Sequence, residues 1–127
     1  MATIEITQEN LTQQVESSDI LFLDFWAEWC GPCKQFGPIF EEASEKHPEI
    51  TFGKVDTEDQ QQLAAAANIT SIPTVMGFRE GVLVFSQPGA LNAQQFDQII
   101  EAVKGLDMAE VHKQVAEAEA AQQAEEN

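Results

Sequence analysis

Cys30 and Cys33 are the only two cysteines of the chain, and Gly31 and Pro32 are all that separates them. A disulfide stabilises a fold mainly by closing a long loop in the unfolded chain, and a Cys30–Cys33 bridge would close almost none. A structural staple is therefore a poor account of the pair. Three uses stay open: a redox couple, half of a metal site, or two unrelated thiols. A structural zinc site asks for about four ligands, and His47 and His112 lie in neither close nor paired spacing. No bound metal is expected on that ligand count. Pro32 suits an early helical position, where its missing N–H would have no partner anyway. A helix starting at the cysteines sets Cys30 against unpaired backbone N–H groups and the positive end of the helix dipole, both of which favour a thiolate. Cys30 is then the candidate nucleophile. Cys33, one turn further on, is placed to resolve a mixed disulfide by attacking Cys30.

The elements that must position this pair can be read on either side of it. Ile20–Trp26 is almost continuously apolar, which suits a central strand covered on both faces. A loop over Ala27–Trp29 leads into the cysteine helix, whose buried side carries Phe36, Ile39, Phe40 and Ala43 and whose wet side carries Glu41, Glu42, Glu45 and Lys46. Pro38 kinks that helix, and Gly37 beside it gives room for the bend. Upstream, Thr3–Ile6 alternates as a short strand and Thr7 caps a helix to about Glu16. Downstream come a strand over Glu49–Val55, an alanine-rich helix over Glu58–Ala67 and a strand over Thr74–Arg79. Arg79-Glu80-Gly81 turns into a returning strand, Val82–Phe85. Asn92 caps a further helix with Phe96, Ile99, Ile100 and Val103 at helical spacing. This order predicts an α/β fold, with a mixed sheet of five strands flanked by helices on both faces.

From Gly105 onward the composition shifts to Ala, Glu and Gln. Asp107 and Glu110 form a capping-box pattern, and Met108, Val111, Val115 and Ala118 recur at helical spacing. The expected division is a domain over 1–105 and an acidic, Ala/Glu-rich helical extension over 106–127, with its last residues frayed into solvent. A solvated helix on a monomer is the plainer reading of that extension, and a docking or dimer helix using Met108, Val111 and Val115 the sharper one.

Charge narrows the partners. With 6 Lys+Arg against 22 Asp+Glu, the formal net charge is −16. Such a chain repels phosphate backbones and anionic membrane surfaces, so neither nucleic acid nor membrane is expected as a partner. No apolar run approaches the ~18 residues of a membrane span. The residues Met1-Ala2-Thr3-Ile4-Glu5 lack the basic and apolar regions of a secretory signal, and the expected compartment is the cytosol.

Trp29-Cys30-Gly31-Pro32-Cys33-Lys34, preceded by Asp24-Phe25-Trp26-Ala27-Glu28 and followed by Pro38, resembles the active site of the thioredoxin family. Ile72-Pro73-Thr74 resembles that family's second motif, and motif order and spacing match from about Ile4 to Val103. The resemblance implies a thioredoxin fold and a protein-disulfide reductase that binds no cofactor, works through a redox-active Cys30–Cys33 disulfide, and receives electrons indirectly from NADPH. Its implied partners are thioredoxin reductase and disulfide-containing client proteins. It implies that Pro73 is cis and faces the cysteines, that Ile72 and Thr74 offer backbone to an extended substrate, and that Gly89 and Ala90 line the same groove. Trp29, Gly31 and Pro32 would form its rim. It further implies that Asp24, whose burial raises its pKa, takes the proton of Cys33, and that Lys54 moderates the charge of Asp24. Two other classes stay in view: an isomerase or oxidase on the same fold, and a binding or chaperone-like module acting through its groove and acidic tail.

Overall fold

The computed structural model describes residues 2–126. Its elements are β1 (Ile4–Glu5), α1 (Leu11–Ser17), β2 (Ile20–Trp26), α2 (Gly31–Lys46), β3 (Thr51–Asp56), α3 (Gln61–Ala66), β4 (Thr74–Arg79), β5 (Val82–Pro88), α4 (Ala93–Lys104) and α5 (Met108–Glu126). They form one sheet of order β1-β3-β2-β4-β5. β3 pairs parallel with β1 and β2, while β4 runs antiparallel to β2 and β5 antiparallel to β4. The mixed five-stranded sheet with helices on both faces is the architecture that the sequence predicts.

β2 lies at the centre because it is apolar on both sides. Successive side chains of a strand point to opposite faces, and the two faces of β2 feed two cores. Phe22 shares one core with Phe36 and Phe40 of α2 and meets Phe52 of β3 and Phe96 of α4 ring to ring. Leu21, Leu23 and Phe25 turn the other way, toward Ile6, Val55 and Leu63. The phenylalanine rings of the first core sit with centroids 5.3 to 6.3 Å apart, several of them edge to face. Each such pair contributes about 0.5–1.5 kcal/mol beyond simple burial. This cluster clamps α2 onto β2 and β3. By the same alternation Asp24, Trp26 and Lys54 fall on the Phe22 side of the sheet, beneath the N-terminal half of α2.

Several boundaries differ from expectation for local reasons. Thr7 does not cap α1: its N–H donates to Asn10 Oδ1 at 2.8 Å, Asn10 takes the cap position, and the helix starts at Leu11, three residues later than a Thr7 cap would give. Residues 57–59 form a turn rather than the first turn of α3, because Asp56 Oδ1 accepts from the Glu58 N–H at 3.0 Å and the Asp56 carbonyl accepts from the Gln60 N–H at 2.8 Å. β5 continues past Phe85 to Pro88, with a register shift opposite Gly77 and Phe78. Glu80 and Gly81, with φ of 50° and 81°, make the hairpin turn. Asn92 and Gln95 form a complete capping box on α4. Gly53 marks a close approach: a Cβ there would lie 2.3 Å from Ile6 Cγ1.

α5 is the extra C-terminal helix, 19 residues long. Asp107 Oδ1 accepts from the Glu110 N–H at 3.3 Å at its start. Met108 is buried within the chain, Val111 and Val115 are half-buried, and His112 Nε2 lies 2.9 Å from Glu80 Oε1 in the β4–β5 turn. Ala118, expected on the same stripe, is exposed. The frayed end expected of the extension includes Asn127, which with Met1 lies outside the described residues.

Candidate active site

Cys30 is the N-cap residue of α2, with extended backbone (φ −87°, ψ 111°) and Pro32 in the first turn behind it. The Cys33 N–H donates to Cys30 Sγ at 3.2 Å. That bond uses one of the unpaired donors of the helix start and stabilises negative charge on the sulfur. The two sulfurs are joined as a disulfide, with Cα atoms 5.3 Å apart. Exposure does not tell the cysteines apart, since Cys30 is 3% and Cys33 5% exposed. The cap position does.

Cys30 Sγ lies 3.7 Å from the carbonyl oxygen of Ile72, and the Ile72–Pro73 bond is cis, as the resemblance implies. The Gly89 N–H donates to the Pro73 carbonyl at 2.8 Å, which draws Gly89 and Ala90 to the loop beside the cysteines. Gly89 has φ of 104°, a conformation that favours glycine. Thr74 is fixed by its Oγ1 donating to the Ser71 carbonyl at 2.6 Å. Trp29 is 68% exposed, and its indole N–H donates to the Glu58 carboxylate, a partner that the sequence reading did not single out. Gly31 and Pro32 are exposed, and a side chain built at Gly31 would meet nothing within 4 Å. The residues flanking the disulfide, Trp29, Gly31 and Pro32, are thus exposed while the cysteines themselves are nearly buried.

Behind Cys33, a cavity of about 450 Å³ runs under α2 between Gly37, Pro38 and Glu41 on the helix and Trp26 and Lys54 on the sheet. Asp24 lies deeper. It is fully buried, and neither carboxylate oxygen has a hydrogen-bond partner. Burial pushes its pKa up to about 7, with Lys54 pulling against that rise and Glu41 adding to it. Lys54 is the register partner of Asp24 across the β2–β3 ladder, but its ammonium pairs with Glu41, at 3.8 Å. Glu41, expected on the wet side of α2, is half-buried and part of this group, which corrects the sequence reading. Cys33, Gly37 and Glu41 follow one another at four-residue steps, a spacing that marks a shared stripe of the helix but not its burial. Among the described residues, no group of three or more His, Cys, Asp or Glu is arranged to hold a metal ion. No described helix is long and apolar enough to cross a membrane.

A cysteine pair closed into a disulfide at a helix N-terminus, with a cis-proline carbonyl loop against it on a five-stranded mixed sheet, defines a dithiol–disulfide oxidoreductase of the thioredoxin fold. The thioredoxin family model matches residues 2–102. Thioredoxin 2 of Streptomyces coelicolor is 54% identical over 119 residues, covering 94% of this chain and 89% of the relative. Thioredoxin C-3 of Corynebacterium nephridii is 36% identical, covering 77% and 68%. The Plasmodium falciparum thioredoxin structure superposes with a TM-score of 0.72 at 34% identity, covering 79% of this chain and 97% of that one. A mutant thioredoxin from Halobacterium salinarum gives a TM-score of 0.75 at 28% identity, covering 82% and 91%. The chain belongs to the thioredoxin family. It is a dithiol–disulfide oxidoreductase acting on disulfides without a prosthetic group, and a binding module with incidental thiols is not favoured. The Streptomyces match takes in 119 residues of this chain, so it ends no earlier than residue 119 and includes much of α5, whereas the family model stops at 102.

Proposed function

We propose that the protein is a cytosolic thioredoxin that reduces client protein disulfides with Cys30 as nucleophile and Cys33 as resolving thiol, and that an NADPH-dependent thioredoxin reductase returns the electrons. In the reduced form the Cys30 thiolate attacks one sulfur of the client disulfide, forming a mixed disulfide and releasing the other client sulfur as a thiolate that takes up a proton. Cys33 gives its proton to the Asp24 carboxylate, and the resulting thiolate attacks Cys30 Sγ. The client leaves with its second sulfur reduced, and the Cys30–Cys33 disulfide holds the two-electron deficit until the reductase removes it. Lys54 moderates the charge that the Asp24 carboxylate carries before it takes the proton. An extended client segment lies along Ile72, Pro73 and Thr74 and against Gly89 and Ala90, with Trp29, Gly31 and Pro32 as rim. The first 105 residues form the working domain, and 106–127 an acidic appendage on a monomer.

The observation that carries this assignment is the Cys33 N–H donating to Cys30 Sγ at the helix cap: it favours the anion on Cys30 and leaves Cys33 as the thiol that needs a base. The test is asymmetric trapping. Cys33→Ser should accumulate client mixed disulfides through Cys30, resolved by non-reducing electrophoresis, and Cys30→Ser should accumulate few. Equal trapping by both variants would reverse or remove the assignment.

A further inference from the structure

We propose that Glu41 is a positioning residue of the redox reaction, whose carboxylate holds the Lys54 ammonium off the buried Asp24 carboxyl, so that Asp24 remains free to accept the Cys33 proton. This rests on the reading of Asp24 as the base.

Two contacts hold the lysine away from the aspartate, and the helix backbone beside them is close. Lys54 Nζ is 3.8 Å from Glu41 Oε1, it lies 5.2 Å from the centroid of the Trp26 ring, and it would be 3.9 Å from a Cβ at Gly37. Gly37 lines the same cavity as Lys54 and Glu41. Glu41 is itself held: Thr3 Oγ1 donates to the same Oε1 at 2.9 Å. Its other oxygen is buried without a hydrogen-bond partner, an arrangement that general solvation of a helix face would not produce. Asp24 is the direct register neighbour of Lys54 and still lacks any hydrogen bond.

The charged and titratable groups facing the cavity are Cys33, Lys34, Glu41 and Glu28 from the α2 side and Lys54 from β3. On the outer flank of Lys54 stand Glu5 of β1 and Asp56 of β3. Glu41 and Lys54 act on Asp24 in opposite senses, the glutamate raising its pKa and the lysine lowering it. Removing the glutamate charge both lifts a repulsion and frees the lysine to move inward, and the two changes have the same sign.

The resolution step can be isolated by loading Cys30 with a chromogenic aromatic thiol as a mixed disulfide and following release of that thiol as Cys33 attacks, across pH. In Glu41→Gln the apparent pKa of this step should fall by about one unit, and the Asp24 carboxyl should titrate lower by carbon-13 NMR. Lys54→Gln should move both upward, and Glu41→Asp should restore part of the parent profile. A Glu41→Gln profile and Asp24 titration matching the parent would overturn the proposal, because a merely structural glutamate leaves both in place. An Asp24→Asn variant separates the two readings. If it resolves at the parent rate with the parent pH dependence, the assignment of Asp24 as base fails. If it slows resolution while Glu41→Gln shifts nothing, only the role of Glu41 fails.

Discussion

At the scale of single residues the molecule keeps one carboxyl group where it is costly, and the cost has a pH signature. Asp24 has an ordinary pKa of 3.8 and is raised to about 7 by burial. Between those values the folded state holds one more proton than the unfolded state, so stability falls as pH rises through that window and levels off on either side. The total is on the order of 4 kcal/mol, since a tenfold change in proton affinity is worth about 1.4 kcal/mol. Asp24→Asn keeps the shape without the charge. Denaturant midpoints should show the variant more stable than the parent near pH 8 by a few kcal/mol, with the gain vanishing near pH 4. A gain independent of pH would mean that something other than ionisation is being relieved. The burial of Asp24 was legible in sequence, because the carboxylate sits inside Phe22-Leu23-Asp24-Phe25-Trp26. Glu41 was not, since it stands beside Glu42 and a helical wheel with one apolar face assigns both to water. Glu41 lines the cavity under α2 with Gly37 and Lys54, a placement that no apolar side chain announces.

At the scale of elements, the strands and the helices packed on them follow from patterning, and the misplaced ends follow from local competition for backbone donors. β2, α2, β4 and α4 were readable because each couples a clear apolar face to a start or stop signal: Pro32 for α2, Ile72-Pro73 for β4, Asn92 for α4. The starts of α1 and α3 were not, because Asn10 and Asp56 capture N–H groups that the sequence offers equally to several polar neighbours. The position of β1 against β3 depends on something subtler. Gly53 lets Ile6 pack where a Cβ would stand 2.3 Å from its Cγ1 and 3.1 Å from Leu23 Cδ2. Ile6 is fully buried and anchors the core under α1 and α3, so it cannot simply swing away. Gly53→Ala should therefore destabilise the fold by about 1–3 kcal/mol through overpacking, read as a lowered denaturant midpoint with an unchanged m-value. The Cys30 to Cys33 chemistry, on the opposite face of the sheet, should survive in the folded fraction.

At the scale of the whole molecule, the question is whether α5 belongs to the working surface or only adds to it. Both cores are complete without it: neither draws a buried residue from beyond Val103. Its ties to the body are the buried Met108, the half-buried Val111 and Val115, and the His112–Glu80 contact, whose side chains are 47% and 40% exposed. An exposed pair of that kind contributes at most about 1 kcal/mol. Met108 is already buried within the chain, which leaves only Val111 and Val115 of the expected docking stripe partly free. The acidity of the protein does not depend on this helix either. Residues 106–127 hold six of the 22 carboxylates and one of the six basic residues, so the body alone remains strongly negative. A chain ending at Gly105 should therefore reduce a protein disulfide in the NADPH-coupled assay within about twofold of the full chain and show the same fall in rate with added salt, if the long-range charge of the body steers encounter with a basic partner surface. Its thermal midpoint should drop by a few degrees, the size expected for losing one buried methionine and one surface pair. Loss of the salt dependence on truncation would instead place the steering charge on α5, and loss of activity with the fold intact would place part of the partner surface there.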